Sequence, residues 1–264
     1  MPATGAQGRL TIDLSALRAN WRALAERARP AETAAVVKAD AYGLGAARVA
    51  PALWREGART FFVALLSEAA ALRDVLPDGA TIYALNGCLA GDEAAHAALR
   101  ARPVLNSLAE IRDWARFCAA RGERLPAAIQ LDSGMSRLGL SPAEVEALAR
   151  DPSALAAFDL ALAMSHLACA DAPAHPANAA QRAAFVALAA KLPATKLSLA
   201  NSAGIFLGRD YAFDLVRPGV ALYGADATDS AAARMAPVVA LEARVVQTRD
   251  VPAGAGVGYG HDRV

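Results

Sequence analysis

The chain has 264 residues, a formal net charge of +1 and three cysteines. This length is enough for one large domain or two smaller ones around a substantial core. A near-neutral charge without basic blocks argues against binding to nucleic acid, and no apolar run is long enough to span a bilayer. Cysteines without a CxxC spacing, and an N-terminus without a secretory signal, indicate a reducing cytoplasm. The four histidines lack metal-ligand spacing, so we expect no metal site.

Short apolar strands alternate with helical stretches along the first 225 residues. The first helix is predicted at 15–29. The strands that follow, with helices between them, are predicted at 34–38, 60–66, 81–85, 103–106, 127–132, 159–166, 196–201 and 215–222. Eight such units predict an α/β fold, a (β/α)8 barrel of the TIM type over residues 14–225. An open doubly wound sheet is the alternative, but it rarely needs eight strands, and no GxGxxG follows the first strand.

The texture of the sequence changes after Tyr223. Residues 238–247 and 257–259 have the pattern of strands, and the segment 252–256 between them has the composition of a turn. Residues 11–13 fit an additional strand of the same β-structure. We therefore expect the barrel to be followed by the start of a mainly β domain, built from residues 1–13 and 226–264.

Lys38 follows a short apolar strand and precedes a glycine-containing turn. A buried ammonium is unfavourable unless it is paired or neutralised. A lysine held there is poised to lose its proton or to form an imine with a carbonyl compound. Most lysines at strand ends simply reach water, and the strand pattern alone leaves both interpretations open.

Active-site residues of such barrels come from the C-terminal ends of the strands. The polar residues predicted there are Lys38, Tyr42, Asn86, Arg137, His166, Asn201, Ser202 and Arg217. The hydroxyl of Ser202 and the backbone N–H groups of Ser202, Gly219 and Val220 could hold a phosphate after strands seven and eight. A lysine opposite a phosphate site suggests pyridoxal 5′-phosphate.

Several segments, in order along nearly the whole chain, resemble the alanine racemase family. They are VKADAYGLG (37–45), LDSGMSRLG (131–139), SHLACAD (165–171), LANSAG (199–204), VRPG (216–219), LYG (222–224) and GYG (258–260). Any one of these motifs is weak, but together they are specific. Members of the family extend well beyond the position that matches Val264. The resemblance therefore does not include the C-terminal part of those proteins, which holds a further phosphate-binding tyrosine and the residues of the substrate gate.

The resemblance implies roles for individual residues. Lys38 would hold pyridoxal phosphate and act as the base on the D-alanine side, and Tyr259 would be the base on the L-alanine side, delivered by the partner subunit of a homodimer. Arg217 would face the pyridine nitrogen and keep it unprotonated, with support from His166. Arg137 would bind the substrate carboxylate. The other cofactor-binding residues would be Tyr42, Leu85, Asn201, Ser202, Gly219 and Val220.

Taken alone, three of these residues have simpler explanations. His166 could be a strand-end histidine with satisfied hydrogen bonds. Arg217 could form a structural ion pair with Asp214, and Tyr259 could be a turn residue. Gln130 stands where many family members carry a lysine that is modified to a carbamate. A neutral amide can still bond to Arg137, so we expect no carbamate here.

The resemblance implies interconversion of L- and D-alanine by two-base proton transfer at Cα, for cell-wall peptidoglycan or alanine catabolism. One alternative is a non-catalytic pyridoxal-phosphate-binding protein built on the barrel alone. Another is a racemase for a different small amino acid. A decarboxylase on the same barrel is disfavoured by the short chain and by the lack of a CxxC-D-type segment.

Overall fold

The computed structural model describes residues 8–229 and 233–263, which form two units. The larger unit spans residues 13–238, and the smaller one combines residues 8–12 with 239–263. The α-helices of the larger unit cover Leu14–Ala28, Ala46–Glu56, Leu66–Arg73, Glu93–Ala98, Leu108–Arg121, Pro142–Arg150, Ser153–Ala156 and Ala177–Ala189. The strands are β1 (Gly8–Ile12), β2 (Glu32–Thr33), β3 (Ala35–Val36), β4 (Thr60–Val63), β5 (Thr81–Ala84), β6 (Ala101–Leu105), β7 (Pro126–Gln130), β8 (Asp159–Met164), β9 (Lys196–Ser198), β10 (Leu215–Val216), β11 (Val239–Ala243), β12 (Gly256–Val257) and β13 (Asp262–Arg263).

Strands β3 to β9 form a parallel sheet in sequential order, and β10 closes it. The short strand β2 pairs in parallel with β10, with Leu215 opposite Glu32. On the other side of β10, the N–H of Arg217 donates to the carbonyl oxygen of Ala200 at 2.9 Å. Because β2 and β3 are successive parts of one extended segment, the last strand joins both edges of the sheet. This closed ring of parallel strands is the predicted (β/α)8 barrel.

Side chains that point into the barrel form its core, as the alternating strand pattern requires. Phe62 and Tyr83 stack there with ring centroids 5.0 Å apart. The buried residues of this core are Ala34, Val36, Phe62, Tyr83, Val104, Ala128, Leu162, Met164 and Leu215. The middle of the barrel interior is therefore filled with side chains.

Local sequence signals account for several helix starts. The carboxylate of Asp13 accepts hydrogen bonds from the N–H groups of Ser15 and Ala16, which begins the first helix one residue before the prediction. Ser141 accepts from the N–H of Glu144, while the Glu144 carboxylate accepts from the N–H of Ser141. This is the predicted capping box.

All eight barrel strands end earlier in the structure than predicted, and three of these differences place site residues outside a strand. The first ends at Val36 rather than at Lys38, because the backbone then turns left-handed. The seventh ends at Ser198. The eighth ends at Val216, since Pro218 has no N–H to donate to a strand partner, and a 3₁₀ helix follows at Val220–Tyr223. Several site residues consequently lie on turns just beyond the strands.

The smaller unit contains two antiparallel strand pairs. Strand β1 pairs with β11, with Gly8 opposite Ala243, and it contains residues 11 and 12 of the predicted additional strand, whereas Asp13 caps the first helix. Strand β12 pairs with β13. Tyr259 was predicted to lie in a strand at 257–259, but in the structure it lies in the turn between β12 and β13. In the described residues no helix is long and apolar enough to cross a membrane.

Candidate active site

A cavity of about 630 Å³ opens at the C-terminal ends of the barrel strands. The predicted site residues that line it are Lys38, Tyr42, Leu85, Arg137, His166, Asn201, Ser202, Arg217, Gly219 and Val220. Asn86 also lines the cavity, as predicted from its place at a strand end. The lining carries three cations, Lys38, Arg137 and Arg217, against the single carboxylate of Asp171. Such a charge balance favours an anionic ligand.

Lys38 opens a left-handed turn at the edge of this cavity. Ala39, Asp40, Ala41 and Tyr42 have φ of 52°, 51°, 56° and 57°. A left-handed conformation costs roughly 1–2 kcal/mol for each residue that has a Cβ. Strained backbone conformations of this kind cluster at active sites and persist only where contacts with the surrounding structure hold them in place. The sequence predicted a turn here, but not its handedness.

The far end of this turn packs against the last barrel segment. The ring of Tyr42 lies 4.7 Å from that of Tyr223, whose hydroxyl donates to the carbonyl oxygen of Val36 at 2.9 Å. A Cβ placed on Gly219 would lie 2.3 Å from the Tyr42 hydroxyl oxygen. Only glycine therefore leaves room for the tyrosine hydroxyl at this position. Burial raises the pKa of Tyr42, so its hydroxyl keeps its proton as a donor.

Ser202 organises the backbone beside Tyr42. Its hydroxyl oxygen is buried and accepts hydrogen bonds from the N–H groups of Gly219, at 2.9 Å, and Ala221, at 3.2 Å. The predicted phosphate-binding donors thus lie together after β9 and β10. The Gly219 N–H, however, is already bonded to the Ser202 hydroxyl, whose own proton is left to donate elsewhere.

Arg217 is a buried cation, with 3% of its surface exposed. Its guanidinium donates to the hydroxyl of Ser198 and to the carbonyl oxygen of Ser165, the latter at 2.5 Å. No carboxylate lies within ion-pair distance among the described residues. The alternative pair with Asp214 is not formed, since that carboxylate accepts from the N–H of Leu197 at 2.8 Å. A buried charge without a counter-ion is unfavourable unless it is hydrogen-bonded, and these neutral acceptors are what stabilise the guanidinium here.

His166 lies between the arginine and an amide. Its Nδ1 is 3.4 Å from Nη2 of Arg217, and its Nε2 is 3.5 Å from Nδ2 of Asn201. Because a guanidinium only donates, Nδ1 accepts and the proton of the neutral ring lies on Nε2. The amide nitrogen of Asn201 also only donates, so its contact with the protonated Nε2 is not a hydrogen bond. Asn201 is oriented by two further bonds, from Nδ2 to the carbonyl oxygen of Leu167 and from the N–H of Gly204 to Oδ1.

Burial strongly shifts the pKa values of His166 and Arg217. Burial, followed by the positive charges of Arg217, Arg137 and Lys38, lowers the pKa of His166 to about 3. Burial lowers the pKa of Arg217 to about 9. At neutral pH the imidazole is therefore uncharged and the guanidinium remains protonated, which is the electrostatic arrangement a permanent donor needs.

The surroundings of Gln130 and Tyr259 differ from those expected from the sequence. Gln130 is buried, and its amide donates to the carbonyl oxygen of Leu138 at 3.3 Å rather than bonding to Arg137. Arg137 is exposed at the cavity rim. Tyr259 belongs to the smaller unit, where its side chain is fully exposed. The cavity therefore brings together the predicted site residues of the barrel, whereas Tyr259 belongs to the smaller unit and is not among the lining residues.

Sequence reasoning missed the polar groups that hold the predicted residues. The hydroxyl of Ser198 accepts from Arg217, and a serine at the inward-facing end of an apolar strand is the signal that could have found it. Ser165 accepts through its backbone carbonyl oxygen, for which the residue type gives no signal. Glu68 accepts from the N–H of Ala39, within the lysine turn. Its sequence signal is a glutamate at the third position of a helix that has no serine or threonine cap.

Comparison with known proteins identifies this class of barrel. Residues 12–227 match the family model described as alanine racemase, N-terminal domain. The catabolic alanine racemase of Mesorhizobium japonicum is 55% identical over 252 residues, which cover 96% of this chain and 66% of that protein. The alanine racemase of Methylobacterium nodulans is 55% identical over 260 residues, with 98% of this chain and 70% of that protein covered.

A solved structure gives the same result. Alanine racemase from Bartonella henselae with covalently bound pyridoxal phosphate superposes with a TM-score of 0.91 at 45% identity, covering 97% of this chain and 71% of that one. This chain belongs to the alanine racemase family. It spans about two thirds of the length of the curated relatives that it matches.

Proposed function

We propose that the chain carries the cofactor site of a pyridoxal-phosphate-dependent racemase that interconverts L- and D-alanine. The observation that carries the proposal is that Lys38 and the buried Arg217 line the same cavity. Arg217 has no carboxylate partner among the described residues. The relatives named alanine racemase and the Bartonella henselae structure support the cofactor and the substrate.

The residues of the cavity fit pyridoxal phosphate. Lys38 would hold it covalently, and Tyr42, Ser202, Gly219 and Val220 would bind its phosphate. The hydroxyls of Tyr42 and Ser202 lie near each other around Gly219, and the Ser202 proton is left to donate because its oxygen accepts from the Gly219 N–H, which suits phosphate oxygens. Arg217 would donate to the pyridine nitrogen, and Leu85 and Asn201 would border the ring.

The chemistry divides between the cofactor and this chain. Bound pyridoxal phosphate supplies a conjugated ring that accepts the electron pair left at Cα when a proton is removed. Lys38 Nζ would take or return that proton on one face of Cα, and the Tyr259 hydroxyl would do so on the other. Arg217 stays protonated and would keep the ring nitrogen from gaining a proton, which limits side reactions. His166 would orient the guanidinium, and Arg137 would bind the substrate carboxylate.

We further propose that the active protein is a homodimer in which each Tyr259 serves the barrel of the partner subunit. Full exposure of Tyr259 leaves it free to enter another chain's site. In this proposal the described residues between 13 and 238 form the cofactor-binding barrel, and residues 8–12 and 239–263 belong to a mainly β domain. The predicted bounds 1–13 and 226–264 also include residues 1–7, 230–232 and 264, which lie outside the described residues. The proposed setting is the cytoplasm, where the reaction would supply D-alanine for peptidoglycan or serve alanine catabolism.

The substitution Tyr259→Phe tests this proposal. Removal of the phenol should lower racemisation by about 10²–10⁴-fold in both directions, since the base of one direction is the acid of the other. The absorption of the lysine-bound cofactor should remain. Alanine interconversion is followed by circular dichroism, starting from each enantiomer.

Mixing two inactive variants tests the shared site. Heterodimers of Lys38→Ala and Tyr259→Phe chains should recover part of the activity, because one of their two sites has both bases. Undiminished racemisation by Tyr259→Phe would exclude the two-base mechanism. Cofactor binding by the unaltered chain without any racemisation would favour a non-catalytic binding protein instead.

A further inference from the structure

Glu68 connects the lysine turn to the neighbouring barrel strand. It lies in the first turn of the helix Leu66–Arg73, which follows strand β4. One carboxylate oxygen accepts a hydrogen bond from the N–H of Ala39 at 2.6 Å. The other accepts from the N–H groups of Ala64, at 2.7 Å, and Leu65, at 3.1 Å. A single side chain therefore joins the end of β4 to the first peptide after Lys38.

The N–H of Ala39 is the place where such a bond has most effect. It belongs to the peptide that follows Lys38, and Ala39 is the first residue with a positive φ in the turn. A return of Ala39 to a right-handed conformation would rotate its neighbouring peptides away from their present directions and redirect the lysine. Hydrogen bonds to a carboxylate are about twice as strong as those between neutral groups. Glu68 thus opposes the relaxation that the strained backbone favours.

Two other glutamates occupy the same helix position, and one of them shows that capping alone does not require a bond to a neighbouring loop. Glu144 accepts from the N–H and hydroxyl of Ser141, within its own helix start. Glu110 accepts from the N–H of Asn106 at 3.2 Å and from the N–H of Cys88 at 3.3 Å, in the loop after β5. Among these three, Glu68 alone bonds to a residue of the lysine turn. Its contact with Ala39 is also the shortest of the inter-loop bonds.

We propose that Glu68 is a positioning residue, which holds the left-handed turn so that Lys38 presents its amine to the cavity. The inference rests on the proposed function, because that function gives Lys38 its reaction with pyridoxal phosphate. Glu68 itself touches neither the substrate nor the cofactor. Its contribution passes through the Ala39 peptide.

The matched variants Glu68→Gln and Glu144→Gln separate positioning from capping. The amide keeps the size of the side chain, but it has one acceptor oxygen in place of two and no charge. In Glu68→Gln we expect hydrogen exchange of the Ala39 amide to rise by on the order of tenfold or more. We expect covalent capture of pyridoxal phosphate at Lys38, trapped with borohydride and mapped by peptide, to slow by a similar factor. Glu144→Gln should leave both quantities at their wild-type values.

A second substitution distinguishes positioning from a general loss of stability. Glycine adopts the left-handed conformation without a steric penalty, so Glu68→Gln/Ala39→Gly should recover much of the capture rate. If Glu68 only caps its own helix, glycine at position 39 gives no recovery. Wild-type exchange at Ala39 together with wild-type capture at Lys38 in Glu68→Gln would overturn the inference. Failure of the unaltered chain to capture the cofactor would overturn the proposed function instead, and the exchange of Ala39 would still decide the role of Glu68.

Discussion

The two sides of the cavity hold their cations in opposite ways. Lys38 is half-buried at the start of a strained left-handed turn, and its amine has no hydrogen bond or ion pair within residues 8–229 and 233–263. Arg217 is buried just after a regular strand and donates to Ser198, to the carbonyl oxygen of Ser165 and to His166. One cation is held only by its backbone, and the other by its head group.

This difference matches what each group is proposed to do. A lysine that gives and takes a proton has to move and change charge, so bonds to its amine would slow it. An arginine that remains a fixed donor needs the reverse, because its value depends on pre-organised geometry. The contrast suggests that the turn and the buried hydrogen-bond network can be disturbed separately.

The largest effect is expected on the lysine side, from Lys38→Ala. The chain has three lysines, and the other two pair with carboxylates, Lys191 with Glu146 and Lys196 with Glu32. We expect loss of covalent cofactor binding and a fall in racemisation of at least about 10⁴-fold. Borohydride reduction followed by peptide mapping measures the attachment. Lys191→Ala is the control and should bind normally, whereas a pyridoxyl group found on Lys191 or Lys196 would refute the assignment.

The next effect is expected on the arginine side, from Arg217→Glu. Loss of a pre-organised donor typically lowers the rate by about 10²–10³-fold. A carboxylate beside the ring nitrogen favours its protonation, so transamination should rise relative to racemisation. Formation of pyruvate per racemisation event measures the change, with Arg217→Lys as a variant that keeps the charge. An unchanged ratio of the two reactions would place Arg217 away from the ring.

A smaller effect is expected where the two sides meet, from Gly219→Ala. The new Cβ would lie 2.3 Å from the Tyr42 hydroxyl oxygen and would displace that half-exposed ring. Overpacking of this kind costs about 1–3 kcal/mol, which corresponds to an affinity for pyridoxal phosphate that is weaker by about fivefold to 150-fold. Titration of the apoprotein with the cofactor measures it. Gly79→Ala, whose Cβ would lie 3.8 Å from Trp54, is the control, and equal affinity of the two variants would count against a phosphate role for this contact.

The smallest effect is expected from the titration of His166. Its pKa is lowered to about 3 in the folded chain, so an unfolded chain with an ordinary imidazole binds the proton more readily. Stability should therefore fall as the pH drops below about 6.5, by at most about 1.4 kcal/mol for each pH unit from this group. His166→Gln should reduce the loss of Tm between pH 6.5 and 5. His175→Gln, at an exposed histidine, is the control, and identical pH dependence of both variants would exclude the shift.

The barrel and most of its site were predictable because they depend on local patterns. Strand alternation, the capping box at Ser141 and the order of the motifs predict the ring, and the strand ends bring Lys38, His166 and Arg217 to one rim. The orientation of Tyr259 toward a barrel stays a prediction. The strands β1 and β11 were both expected from the sequence pattern, but the predicted 11–13 was shorter than β1 and the predicted 238–247 was longer than β11.

The amino-acid sequence by itself determined which residues face the cavity, since a parallel barrel places every strand end on the same side. Only the tertiary structure decided how those residues are held. The left-handed path after Lys38 depends on Glu68, which is distant in sequence. The buried Arg217 depends on the hydroxyl of Ser198 and on the backbone carbonyl of Ser165, which come from two other segments. These arrangements follow from hydrogen bonds between separate segments, and a local pattern carries no information about a partner that folding brings close.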